Sequence, residues 1–154
     1  MSRPARGRLV AVAAALVLAA AAAGAAPAAK PASPPPAAQG DSLRFVAYYF
    51  HGNVRCATCR KLEQYSHAAV HKGFPKELES ARLAWLTVNV DKKENAHFTK
   101  DFSLYTRSLV LVAERGGKTV RWKNLERIWE LVRDPGAFEK YVQGELRAFM
   151  KGPA

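Results

Sequence analysis

Cysteine is nearly absent from this sequence: of 154 residues only Cys56 and Cys59 are cysteine. A structural zinc site commonly draws on two C-x-x-C pairs or on added histidines, and there is no second pair. The residue after Cys59 is Arg60 rather than histidine, which excludes attachment of a c-type haem. Two thiolates suit a soft ion such as Cu(I), yet no methionine or histidine immediately flanks the pair to complete a site. A Gly-rich dinucleotide fingerprint is also missing, and the chain has no room for a flavin domain. No internal repeat occurs. The sequence therefore implies no cofactor and no metal.

Acid is scarce as well. Thirteen Asp and Glu stand against 24 Lys and Arg, a formal net charge of +11. Such a surface suits an acidic partner or an anionic membrane, or is simply a solvated basic face. No basic–aromatic motif of a nucleic-acid reader is present, so nucleic acid is not an expected partner.

The first 41 residues do not read as part of a fold. Arg3, Arg6 and Arg8 form a basic start, an uncharged apolar run follows from Leu9 to about Ala23, and Ala23-Gly24-Ala25 fits a small-residue cleavage pattern. This is the layout of a secretory signal peptide over residues 1–25. The expected destination is the periplasm or the exterior. An uncleaved segment would instead tether the domain to a membrane. No cysteine follows the apolar run, which excludes a lipoprotein anchor. Residues 26–41 are rich in Ala and Pro, including Pro34-Pro35-Pro36, and read as a linker. Removing Arg3, Arg6 and Arg8 leaves 21 basic against 13 acidic residues, still strongly basic.

The expected domain runs over 42–151, enough for a single core. Leu43 to Phe50, rich in aromatic and β-branched residues, reads as a buried strand. A helix follows from Cys56 or its neighbour to about Lys72, with Leu62, Tyr65, Ala69 and Ala68 on its apolar face. Pro75 suits the first turn of a short helix reaching about Ala81. Leu83 to Val90 reads as a strand buried on both sides. Asp91 is placed to cap a helix from about Lys92 to Asp101. Ser108 to Glu114 is a near-continuous apolar run, expected as a central strand. Arg115-Gly116-Gly117-Lys118 is a hairpin turn, with Thr119 to Lys123 pairing back. Two helical stripes end the chain: Leu125, Ile128, Trp129 and Val132, then Phe138, Tyr141, Val142, Leu146 and Phe149, separated by Pro135. The sum is an α/β fold, a mixed sheet of about four strands flanked by helices.

A C-x-x-C pair where a strand gives way to a helix is a redox motif with a mechanism. Unpaired N–H groups and a partial positive charge at a helix N-terminus favour a thiolate there. Arg55, Arg60 and Lys61 add positive charge nearby. The spacing permits an intrachain disulfide closing a very small loop, which restrains little of the unfolded chain and so is of little use as a staple. His51, five residues ahead, is a candidate to reach the thiols. His67 and His71 fall four apart on the expected helix and, lacking a third ligand, read as a solvated face.

The order of elements around this pair resembles the thioredoxin fold over Leu43 to Met150. The stretch Tyr48-Tyr-Phe-His-Gly-Asn-Val-Arg-Cys-Ala-Thr-Cys-Arg-Lys61 resembles something narrower, as do Val88-Asn-Val-Asp91, His97-Phe-Thr-Lys-Asp-Phe102, Ser108-Leu-Val-Leu-Val112 and Trp122-Lys-Asn-Leu125. Together they resemble small exported thioredoxin-like proteins labelled "nitrophenyl compound nitroreductase subunit". The resemblance implies Cys56 as nucleophile and Cys59 as resolving cysteine. It implies an exported thiol–disulfide oxidoreductase with a protein thiol or disulfide as partner and a membrane-bound electron donor or acceptor. The alternative is a non-catalytic module that captures a soft metal or metalloid ion, or serves as a subunit of a redox complex. Two departures from the thioredoxin pattern stand out. The cis-proline position falls on Arg107 or Ser108, where an Arg107 cation would favour the Cys56 thiolate. The buried acid's position falls on Phe50, leaving His51 beside it to supply a proton relay.

Overall fold

The computed structural model describes residues 42–153. The signal-peptide and linker expectations fall on residues outside these. Four strands form one sheet in the order β2-β1-β3-β4: β1 is Arg44–His51, β2 Leu83–Asn89, β3 Ser108–Arg115 and β4 Lys118–Asn124. β1 pairs parallel with β2 and antiparallel with β3, and β3 pairs antiparallel with β4. The helices are α1 Ala57–Gly73, α2 Pro75–Glu79, α3 His97–Asp101, α4 Ile128–Leu131 and α5 Pro135–Lys151.

Alternation along β1 separates two cores. Phe45, Ala47 and Tyr49 face one side, where Leu62 and Ala69 of α1 and Phe138, Val142 and Leu146 of α5 close over them. Val46 and Phe50 face the other, packed with Phe102, Leu104, Val110 and Val112. Both central strands, β1 and β3, are covered on two faces, which is why their sequences are almost unbroken apolar runs. The β3–β4 turn takes Gly116 and Gly117 at φ of 56° and 76°, a mirror-image turn that residues with a Cβ resist.

Two expectations need correction. Leu83 to Val90 is not buried on both sides but lies at the sheet edge: only Leu83 is fully buried and the rest is half-buried or exposed. Its apolar letters do not record that it has one neighbour. Lys92 to Asp101 is not one helix. It is a 3-10 turn at Lys93–Asn95 followed by the five residues of α3. Asp91 caps neither, because its carboxylate is committed to the loop before Cys56.

Candidate active site at the start of the first helix

β1 delivers the chain to the site and α1 carries it away. The loop between them, residues 52–55, is fixed from two sides. From the end of β2, Asp91 Oδ2 accepts the Asn53 N–H at 2.6 Å, and Asn89 Nδ2 donates to Asn53 Oδ1 at 2.8 Å. From the other side, Arg107 Nη2 donates to the Val54 carbonyl at 2.7 Å. Gly52 is needed where these approaches converge. A Cβ there would lie 2.7 Å from Asp91 Oδ2 and 3.2 Å from Arg107 Nη2.

Cys56 is the N-cap of α1. Its backbone is extended, and its Sγ accepts the Cys59 N–H at 3.1 Å. Cys56 and Cys59 form a disulfide with their Cα atoms 5.1 Å apart. The two sulfurs are not equivalent. Cys56 is exposed, whereas Cys59 is only 6% exposed, turned into the protein by the first helical turn. An approaching sulfur therefore meets Cys56. After reduction a thiolate on Cys56 keeps the Cys59 N–H and the positive end of α1, and that stabilises the charged form.

Beneath the pair lies a residue that sequence reasoning passed over. Tyr49 is fully buried, stacked on Trp85, and its hydroxyl donates to the Cys59 carbonyl at 2.8 Å. Burial pushes its pKa up to about 12, against the opposing pull of the Arg55 and Arg107 charges. Tyr49 thus stays protonated, and a donor, at any physiological pH. The one signal for it was parity: Tyr49 shares the α1-facing side of β1 with Phe45 and Ala47.

The remaining candidates are placed as follows. Arg55 ion-pairs with Glu63, so its charge is shared with a carboxylate rather than offered to Cys56 alone. His51 ends β1, with Nδ1 2.9 Å from the Gly52 carbonyl, and no hydrogen bond joins it to either cysteine among the described residues. It lines a cleft of about 230 Å³ with Gly52, Asp91, Tyr105 and Arg107. Phe50, at the position of the acid, is buried among Val46, Phe102 and Leu104 on the opposite side of the sheet from Tyr49. Arg107 lies directly before β3, where its carbonyl accepts the Trp129 Nε1–H at 2.9 Å. No peptide bond among the described residues is cis. His67 and His71 are exposed on α1 with ring centroids 3.8 Å apart. Burial, and then the neighbouring His71, lower the pKa of His67. No group of three or more His, Cys, Asp or Glu comes together among the described residues.

Arg107 bridges the two loops that frame Cys56, so its loss has a readable effect. In the reduced protein, Arg107→Ala requires a higher pH to ionise Cys56, as followed by thiolate absorbance, because a cation is removed and the Val54 carbonyl is released. An unchanged titration would reduce Arg107 to a purely structural tie.

No protein-family model matches the chain, and no curated protein matches it. Solved structures similar to it include a thioredoxin from Trypanosoma brucei brucei, at 16% identity over 74% of this chain and 80% of that one, with a TM-score of 0.40. A Fasciola hepatica thioredoxin is similar at 22% identity over 58% and 79%, with a TM-score of 0.36. Trxlp from Edwardsiella tarda is similar at 19% over 68% and 84%, also with a TM-score of 0.36. The strand order, the strand directions and a C-x-x-C pair opening the helix after β1 make this a thioredoxin-like α/β fold.

Proposed function

We propose that this chain is an exported thiol–disulfide oxidoreductase working through Cys56 and Cys59. One observation carries the reading: an exposed sulfur at a helix N-cap is bonded to a buried sulfur one turn further on. In the oxidised form a substrate thiolate attacks Cys56 Sγ. The Cys56–Cys59 bond breaks, and Cys59 leaves as a thiolate that takes a proton from water. A second substrate thiolate then attacks the substrate sulfur of the mixed disulfide, and Cys56 leaves as a thiolate. Two electrons have passed from two substrate thiols to the pair. Run backwards, the Cys56 thiolate opens a substrate disulfide, and Cys59 resolves the mixed disulfide by attacking Cys56 Sγ.

The partner in this reading is a protein thiol or disulfide. Exposed apolar groups on the two loops that Arg107 ties together suit such a partner: Val54 is 75% exposed and Tyr105 96%. The basic start and apolar run of residues 1–25 support export, and outside the cytoplasm the pair needs a dedicated donor or acceptor to reset it, for which a membrane-bound one is a candidate. The resemblance to small exported subunits fits the same role, a redox module that docks on a larger partner.

The test is turnover on a neutral model disulfide, such as that of 2-mercaptoethanol, with a regenerating reductant. The expected result is catalysed reduction that is lost on alkylation of the reduced pair. Stoichiometric uptake of Cu(I) or As(III) with no turnover would make the chain a binding module instead.

A further inference from the structure

The charges around Cys56 are unevenly cancelled. Arg55 is paired with Glu63, and Arg107 has the Asp91 carboxylate close by across Gly52. Arg60 and Lys61 have no acidic partner among the described residues, and both are exposed. Arg60 is four residues beyond Cys56 and so lies on the same side of α1, one turn up. Its side chain folds back along that turn, with Nη1 donating to the Arg55 carbonyl at 3.0 Å. That carbonyl belongs to the peptide unit whose nitrogen is Cys56's own. The guanidinium is therefore held on the peptide unit that leads into Cys56, with N–H groups still free to donate.

We propose that Arg60 is a specificity-determining residue, which selects substrate thiols and disulfides carrying a carboxylate next to the reacting sulfur. The inference rests on the exchange chemistry above and names its substrate class: acidic segments, with Val54 and Tyr105 taking the apolar neighbours. A substrate carboxylate within reach of the guanidinium raises the encounter rate and steadies the approach of sulfur to sulfur. The chemistry is unchanged: each peptide thiolate attacks Cys56 Sγ, Cys59 departs as a thiolate, and a second peptide thiol completes the two-electron reduction.

The test is the rate at which the oxidised protein is reduced by three short capped peptides, each with one cysteine flanked by Asp, by Ala or by Lys. The flanking charge alters each peptide's own thiol acidity. That effect is common to wild type and variants and cancels when their acidic-to-basic rate ratios are compared. Relative to wild type, Arg60→Ala lowers the ratio by about three- to tenfold at low salt, and Arg60→Glu lowers it further. The difference between wild type and Arg60→Ala shrinks at high salt. Both substitutions are on an exposed helix position, and circular dichroism checks that α1 persists. A ratio identical in wild type and Arg60→Ala, with the Ala-flanked peptide still reacting, overturns the role of Arg60 and leaves the oxidoreductase reading intact. Failure of all three peptides, in large excess, to reduce wild type, together with no turnover on the neutral model disulfide, removes the exchange reading, and this inference with it.

Discussion

Cys56→Ser abolishes thiol–disulfide exchange, whereas Cys59→Ser stops it halfway. The asymmetry follows from exposure and capping together. Cys56 is open to solvent at the N-cap, and Cys59 is turned inward with 6% of its surface exposed. With serine at 56, no exposed sulfur remains for a substrate to meet, and the rate falls to that of the buffer. With serine at 59, Cys56 is a free thiol still favoured as a thiolate by the N–H of residue 59 and the helix dipole. It opens a substrate disulfide, but nothing behind it resolves the product, so a mixed disulfide accumulates. Non-reducing mass spectrometry after incubation with a protein disulfide reads both outcomes. A trapped adduct on Cys59 in Cys56→Ser, as strong as that on Cys56 in Cys59→Ser, would contradict this division of roles.

Tyr49→Ala is expected to be the most destabilising single change near the site, lowering the free energy of unfolding by about 3–5 kcal/mol. The ring is fully buried between α1 and the sheet, and its loss leaves a cavity that Leu62 and Trp85 cannot fill without moving. Against a total of about 5–15 kcal/mol for an ordinary domain, that change brings the protein close to unfolding. Tyr49→Phe keeps the ring and removes only the hydroxyl, leaving the Cys59 carbonyl without that partner. Its cost is about 1 kcal/mol. Urea denaturation of the two variants separates the ring from the hydrogen bond. Equal losses in Tyr49→Phe and Tyr49→Ala would place the whole effect in the bond to Cys59.

Much of this was legible before the structure. The strands that became β1 and β3 could be read because burial on both faces leaves an unmistakable apolar run, and the Gly116–Gly117 turn because its backbone demands glycine. The helix after Cys56 and the position of Arg107 before β3 followed from spacing and chain order. What stayed hidden depended on neighbours rather than on local pattern. β2 carries the letters of a central strand, yet lies at the sheet edge, a matter of which strands flank it. Asp91 has the composition and place of a helix cap, but the Asn53 N–H, 38 residues earlier, claims its carboxylate. The Arg55–Glu63 pair crosses from loop to helix, outside any helical spacing rule. Tyr48 and Tyr49 are indistinguishable as letters. Only the direction of the pleat assigns Tyr49 to the Cys59 carbonyl and Tyr48 to the aromatic cluster with Phe98 and Phe102 on the other face.

Everything proposed above requires that Cys56–Cys59 be a working couple rather than a fixed cross-link. Equilibration of the protein with glutathione buffers of graded ratio, quenched by alkylation and weighed, tests it most directly. The expected result is a single two-electron transition in the range of known dithiol exchange proteins, about −120 to −270 mV, with Cys56 and Cys59 alkylated together. A pair that remains oxidised in every glutathione buffer, with a potential below about −300 mV, would be a structural disulfide and would contradict it.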